Sequence, residues 1–180
     1  MSDRQIARGE RVFLRYPTGD DEDAFLRAVA ASRELHLPWT FLPETAEGFR
    51  ALLDRTRDPA DQLLLICLLQ DGSPAGVAHL GQIVLGDFRS AYLGYSALVP
   101  HEGRGLMREG LTLVLRHAFE TIGLHRVEAN VQPDNARSIA LVERLGFRRE
   151  GYSPRYLRIG GEWRDHVRYA ILAEDFQAQT

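Results

Sequence analysis

The 180-residue sequence is 44% hydrophobic and 26% charged, an ordinary globular composition, and its length predicts a single domain over residues 1–180. The formal net charge of −3 gives no indication of DNA or RNA as the main partner. All 22 lysine-plus-arginine positions are arginine, which excludes a Walker-type phosphate loop and a lysine Schiff base, because each needs a lysine.

The lone cysteine and the hydropathy pattern narrow the class of protein further. Cys67 has no second cysteine to pair with, and its place in the apolar run 63–69 predicts a buried side chain rather than a reactive thiol. No apolar segment typical of a signal peptide follows residues 1–5, and no apolar run approaches the ~18 residues of a membrane span. We therefore expect a cytoplasmic protein with no metal and no membrane partner.

The first half of the chain predicts four strands and two helices. An acidic cluster at 20–23 begins a helix whose apolar stripe includes Phe25 and Val29. The run 62–70 is apolar at most positions, which predicts a central strand buried on both faces. Turn residues around Gly72 and Gly86 indicate an antiparallel meander. The predicted strands cover 11–15, 62–70, 74–85 and 91–99, and the second helix covers 46–55.

The second half alternates helices and strands. Apolar residues recur with a helical period after Pro100, and Gly123 and Gly146 end the two predicted helices. The strand, helix and strand within 91–132 predict one parallel pair with a right-handed crossover. The whole chain therefore predicts a mixed α/β sheet. The predicted helices cover 105–122 and 135–145, and the predicted strands cover 125–132, 148–159 and 163–172.

The turn Gly103-Arg104-Gly105 is the first candidate site. It joins a strand to a helix whose first turn leaves N–H groups unpaired with a partial positive charge. Glycines allow a ligand to approach the backbone, so the turn suits a phosphate, and Arg104 and Arg108 add charge. The alternative is a plain strand-to-helix turn in which the glycines serve only the geometry.

Asn135 and Ser138 form the second candidate site. Asn135 is a good helix N-cap, and capping alone is the alternative to a binding role. Their helix follows a strand predicted to lie parallel to the one before Gly103. Open α/β sheets bind ligands in the crevice between such strand ends, so Asn135 and Ser138 are expected to face the same ligand as Gly105.

Residues 94–147, with the glycine turn, Asn135, Ser138 and the string Leu145-Gly146-Phe147, resemble the GNAT superfamily of acetyltransferases. The C-terminal strings 150–152 and 161–166 are similar to its ribosomal-protein-alanine N-acetyltransferase branch. The resemblance covers nearly the whole chain. It implies an α/β (α+β) fold with a mixed, mostly antiparallel central sheet of six to seven strands, about four flanking helices, and a V-shaped split between two parallel strands.

The resemblance also implies acetyl-CoA as co-substrate and no metal. The pantetheine arm is expected along the end of the strand, and the pyrophosphate on the N–H groups of the glycine turn. The residues implied to bind acetyl-CoA are Ala97, Leu98, Val99, Gly103, Arg104, Gly105, Leu106, Met107, Arg108, Asn135 and Ser138.

For the chemistry, the sequence favours direct attack by the amine in a ternary complex, because a buried Cys67 is a poor acyl carrier. A backbone N–H near Leu98 is the expected donor to the acetyl carbonyl, and Ser138 is the expected acid for the thiolate. Some relatives have a glutamate base where this chain has Asn130. Glu128 shares a strand face with Asn130 and is the candidate base, with a salt-bridged carboxylate as the alternative.

Trp39, in the aromatic segment 36–41, and Tyr95 are the candidate acceptor-binding residues, with a helix-connecting loop pinned by a core tryptophan as the alternative. The leading hypothesis is acetylation of a protein N-terminal α-amine, for example on a ribosomal protein. The alternatives are a small amine (an antibiotic, polyamine or amino acid) and a non-catalytic CoA-binding sensor. A homodimer is left open.

Overall fold

The computed structural model describes residues 5–177, which form an eight-stranded sheet in the order β1-β2-β3-β4-β5-β6-β8-β7. Only β5 and β6 pair in parallel within the described chain, so the predicted mixed, mostly antiparallel fold is confirmed. The strands are β1 Gln5–Arg8, β2 Val12–Arg15, β3 Asp61–Leu68, β4 Pro74–Val84, β5 Ser90–Ala97, β6 Arg126–Val131, β7 Arg148–Ile159 and β8 Glu162–Leu172.

Six α-helices flank this sheet in the described part of the chain. They are α1 Glu22–Ala31, α2 Arg33–His36, α3 Ala46–Arg55, α4 Leu106–Arg116, α5 Ala136–Arg144 and α6 Ala173–Gln177. The Thr45 hydroxyl caps α3 by accepting the Gly48 N–H at 3.1 Å. A π-helical turn, His117–Thr121, continues α4, and Gly123 follows with a φ of +78°. None of the helices between residues 5 and 177 is long and apolar enough to span a membrane.

The sheet has more strands than the sequence predicts because short elements carry little pattern. The four residues of β1 pair with β2, and α2 has only four residues between α1 and the loop before α3. Neither segment is long enough to display a period of two or of 3.6. The longer predicted strands and helices match the observed ones to within a few residues, and the 46–55 helix has the predicted bounds.

Two apolar clusters hold the helices on opposite faces of the sheet. On the face covered by α1 and α3, Phe25 and Phe49 pack with their ring centroids 4.9 Å apart over Leu65 and Cys67. On the face covered by α4 and α5, Ile66 lies so close to α4 that a Cβ atom at Gly110 would collide with it. Residues 63–68 are all buried, which confirms the prediction of a strand buried on both faces.

Cys67 is fully buried in β3, and burial raises the pKa of its thiol to about 11. A thiol with this pKa is almost entirely protonated at neutral pH. The absence of thiolate makes Cys67 a poor nucleophile, in agreement with direct attack by the amine.

The parallel pair β5–β6 opens into a split. The two strands pair only from Ser90 to Tyr92 on β5 and from Arg126 to Glu128 on β6. Beyond this point β5 continues to Ala97 and β6 to Val131 without pairing to each other. The predicted V-shaped split therefore exists, and its open end lies at the carboxyl ends of both strands.

Candidate active site

The glycine turn at the open end of the split has the backbone that its sequence predicts. Gly103 and Gly105 have φ values of +72° and +77°, in the left-handed region that favours glycine. Gly105 is the N-cap of α4 and provides no side chain to cap the first-turn N–H groups. No atom lies within 4 Å of the position of a Gly103 Cβ atom, so a ligand can approach this backbone closely. Exposed, uncapped N–H groups at a helix N-terminus fit a pyrophosphate.

An ion pair absent from the sequence predictions braces this turn. The Glu109 carboxylate, in the first turn of α4, accepts from the Arg11 N–H at 2.7 Å and Arg11 Nε at 2.8 Å. It also accepts from the Val12 N–H at 3.2 Å, and Arg11 Nη1 donates to the Arg104 carbonyl at 3.0 Å. Burial opposes ionisation of Glu109, but these hydrogen bonds outweigh it and lower its pKa. The start of β2 therefore holds both α4 and the glycine turn.

The side chains around the turn divide into two groups. Arg104 and Arg108 are exposed, so their guanidinium groups are accessible to an anionic ligand. Met107 instead packs against β4, where its sulfur occupies the space beside Gly76. Of the two, only the arginines add positive charge to the turn.

The pairing of β4 and β5 determines which N–H near Leu98 faces the split. The Leu98 N–H itself donates to the Ala75 carbonyl just before Gly76 of β4, at 2.9 Å. Successive N–H groups along a strand point to opposite edges, so the Ala97 N–H is the one directed to the split. The register of β4 and β5 therefore leaves Ala97, next to Leu98, as the candidate donor, and its role stays a prediction.

Two backbone groups at the end of β5 are held by the last residue of α2 and by Ser32, which joins α1 to α2. The Ala97 carbonyl accepts from His36 Nε2 at 2.8 Å, and the Val99 N–H donates to the Ser32 hydroxyl at 3.0 Å. These residues lie 61 and 67 positions apart in sequence, so no local motif indicates the contacts. A ligand that lies along this edge of β5 therefore finds the Ala97 carbonyl already bonded to α2.

Ser138 and Tyr95 meet across the split. The Asn135 side-chain oxygen caps α5 by accepting the Ser138 N–H at 3.1 Å. The Tyr95 hydroxyl, on β5, lies 2.5 Å from the Ser138 hydroxyl and donates to the Ser138 carbonyl at 3.2 Å. Burial raises the pKa of Tyr95 to about 12, and the bond to Ser138 offsets this only in part. Tyr95 is therefore neutral at physiological pH, with its hydroxyl directed to the predicted acid.

Glu128 lies at the closed end of the split. It is opposite Tyr92, and five residues of strand, about 16 Å, separate Tyr92 from Ala97. Its carboxylate accepts from Arg126 Nε at 2.9 Å, and Arg126 also pairs with Glu150. At this distance, an amine near Ala97 cannot transfer a proton directly to Glu128. Its role as a base stays a prediction, and one that needs a chain of waters.

The end of α2 and the residues after it, 36–39, contact both strands that border the split. His36 bonds to β5, and three residues later the Trp39 carbonyl accepts from Gln132, just beyond β6, at 3.1 Å. Trp39 itself is half-buried. A cavity of about 350 Å³ opens beside this segment, between residues 40–43, α3 and strands β3 to β5, and Tyr95 and Ser96 form part of its wall.

Comparison with known proteins identifies the family. The acetyltransferase (GNAT) domain family matches residues 11–148. A Bacillus subtilis protein described as probable N-acetyltransferase YjcK is 40% identical over 178 residues, which cover 94% of this chain and 98% of that protein. The chain belongs to the GNAT acetyltransferase family. Its glycine turn and split fit acetyl-CoA as a co-substrate.

Two further matches bear on the branch within the family. The [ribosomal protein uS5]-alanine N-acetyltransferase of Escherichia coli is 46% identical over 101 residues, which cover 56% of this chain and 52% of that protein. The chain thus matches about half the length of that relative. Mycobacterium smegmatis RimJ in complex with CoA-disulfide has a TM-score of 0.83 and 29% identity, over 93% of this chain and 88% of that one. The resemblance to the ribosomal-protein-alanine branch is therefore confirmed.

A Vibrio cholerae spermidine N-acetyltransferase in complex with CoA and spermine has a TM-score of 0.79 at 22% identity, over 92% of this chain and 98% of that one. At this identity the likeness concerns the fold alone. The sheet and its split are thus common to relatives named for different acceptors, so the acceptor has to be inferred from the walls of the site.

Proposed function

We propose that this enzyme transfers the acetyl group to the N-terminal α-amine of a protein, such as a ribosomal protein. The observation that carries the proposal is the charge of the cavity beside the split. Of the residues that line it, Arg55 is the only one with a permanent charge, and the others are mainly apolar. A cavity of this character suits the side chains and backbone of a peptide, whereas a polyamine needs carboxylates.

The carboxylate paired with two of the lining residues supports this interpretation. Asp61, beside the cavity, is paired with Arg55 at 3.4 Å and with His79, so its charge is already compensated within the protein. A second or third ammonium group of a polyamine would compete with Arg55 for this partner. The relation to RimJ and to the uS5-alanine enzyme of E. coli is in agreement with a peptide acceptor.

In this reaction the N–H groups from Gly103 to Met107 hold the pyrophosphate, with Arg104 and Arg108 as supplementary cations. The Ala97 N–H polarises the acetyl carbonyl, and the amine attacks the carbonyl carbon directly. Ser138 protonates the departing thiolate, while the Tyr95 hydroxyl fixes the position of the Ser138 side chain. A positioned acid of this kind contributes about 10²–10⁴ in rate.

Free thiol released from acetyl-CoA tests the acceptor. The panel contains a peptide with a free N-terminal alanine, the same peptide with its N-terminus formylated, and spermidine. We expect thiol release with the free peptide and none with the blocked one, because only the α-amine differs. Release with spermidine alone would overturn the proposal in favour of a small-amine enzyme. A cytoplasmic location and a homodimer stay predictions.

A further inference from the structure

His36 is a buried histidine at the reacting end of β5. It is the last residue of α2, is 5% exposed, and bonds through Nε2 to the Ala97 carbonyl at 2.8 Å. One turn earlier, Ser32 accepts the Val99 N–H and donates to the Ala28 carbonyl at 2.7 Å. The imidazole is thus fixed against the carbonyl of Ala97, the residue whose own N–H is directed to the split.

The hydrogen bond determines which ring nitrogen carries the proton. A carbonyl oxygen can only accept, so Nε2 of His36 must be protonated. In the neutral imidazole the other nitrogen, Nδ1, then has a free lone pair. His36 therefore presents a proton acceptor, held in one orientation, beside the residue that binds the acetyl carbonyl.

The other candidate bases near the split are committed elsewhere. Glu128 is paired with Arg126 and lies about 16 Å along the strand from Ala97. His79 is bonded to Asp61. His166 is bonded to the Arg164 carbonyl at 3.0 Å, and it lies on β8, which β6 separates from β5.

Most of the titratable groups on the elements around His36 are also engaged or turned to solvent. On α2, Arg33 is paired with Glu44 and Glu34 is exposed. On the neighbouring elements, Arg27 of α1 and Arg137 of α5 are exposed, and Tyr95 of β5 bonds to Ser138. His101, four residues beyond β5, is half-buried, and its Nδ1 has no hydrogen-bond partner among the described residues. In the hydrogen bonds of the described residues, the Ala97 carbonyl is the only partner of the His36 ring. No carboxylate or cation among these groups is bonded to the imidazole.

We propose that His36 is the general base that deprotonates the acceptor amine. The inference rests on the proposed use of the split for acetyl transfer, and it holds for a peptide or a small amine. Nδ1 takes one proton from the acceptor ammonium and later releases it to solvent. The freed nitrogen lone pair forms the C–N bond, and the C–S bond breaks with its electron pair on sulfur. The second proton lost by the nitrogen passes through the Ser138 hydroxyl to the thiolate, which gives CoA thiol.

The His36→Gln variant distinguishes a general base from a residue that only holds the Ala97 carbonyl in place. The glutamine side chain has an N–H that can donate to the Ala97 carbonyl, but it has no titratable nitrogen. We expect kcat to fall about 100-fold, with KM for acetyl-CoA unchanged and the acidic limb of the kcat–pH profile lost. His125→Gln removes an exposed histidine that is bonded to Glu174, and it serves as the matched control with wild-type kinetics. Full turnover and an unchanged pH profile in His36→Gln would overturn the proposal.

The protonation state of the acceptor gives a second readout. These assays use whichever acceptor the wild-type enzyme acetylates, so failure of the peptide proposal does not affect them. An analogue whose amine is already neutral at the assay pH has no first proton to lose. We expect the His36→Gln defect to shrink at least tenfold with the analogue, whereas an equal defect with both acceptors would indicate a structural role and contradict the inference.

Thermal denaturation and CoA titration show whether the His36→Gln variant folds. If it does not fold, the wild-type enzyme provides the same test. With the ammonium acceptor, kcat should fall at acidic pH as the base becomes protonated. With the neutral analogue this acidic limb should be absent. An identical limb with both acceptors, or none with either, would reject the proposal.

Discussion

The two sides of the split are built in different ways. The donor side, where the glycine turn and the start of α5 lie, is formed by short motifs whose helix starts and caps involve neighbouring residues. The acceptor side is formed by His36, Trp39 and the cavity, which contact strands roughly 60 to 90 positions away in sequence. The donor side is therefore a local structure, and the acceptor side exists only in the folded chain. This division suits a family that keeps one donor and varies its acceptor.

The strongest test of the donor side is Ser138→Ala. Removing the hydroxyl leaves the thiolate without its predicted acid, and we expect kcat to fall about 100-fold with little change in KM for acetyl-CoA. Steady-state thiol release measures both constants. Thr56→Ala, which removes a hydroxyl at the C-terminal end of α3, is the matched control. Full turnover in Ser138→Ala would remove the serine from the chemistry.

Tyr95→Phe tests whether the two sides are coupled, because Tyr95 lines the acceptor cavity and bonds to Ser138. Loss of the hydroxyl frees the Ser138 side chain to rotate, and we expect about a tenfold decrease in kcat, roughly 1.4 kcal/mol in the activation barrier. The double variant with Ser138→Ala should be no slower than Ser138→Ala alone, since both changes act on one group. Additive losses would mean that Tyr95 has a separate function, for example in acceptor binding as the sequence predicts.

The same division explains what the sequence can predict. The 46–55 helix, the buried strand β3 and the glycine turn depend on periodicity, capping and positive φ, all of which are visible in a short window. The sequence predicts the donor N–H only as one near Leu98, since the edge to which an N–H points depends on the register with β4. Likewise, the sequence places His36 only in an aromatic segment. Its contact with Ala97 requires α2 to fold back on β5, which no local pattern encodes.

The smallest effect is expected at the brace of the glycine turn, a long-range contact on the donor side. The pKa of Glu109 is lowered in the folded protein, because its hydrogen bonds to Arg11 and Val12 outweigh the effect of burial. The stabilisation is therefore present above the pKa of the unfolded carboxyl and is lost as the pH falls through the lowered folded value. At pH 7, Glu109→Gln should cost about 1.5 kcal/mol, which lowers Tm by roughly 4 °C.

Thermal denaturation from pH 7 down to pH 3 measures this difference for Glu109→Gln and for the exposed control Glu120→Gln. Wild type and Glu109→Gln should converge in Tm at the acidic end, because protonation of Glu109 abolishes the ion pair in the wild type. KM for acetyl-CoA should rise only a fewfold in Glu109→Gln, since the glycines keep their conformation without the brace. A constant Tm gap down to pH 3 would mean that Glu109 acts through packing, and a loss of acetyl-CoA binding would show that the turn needs β2 as well as its own glycines.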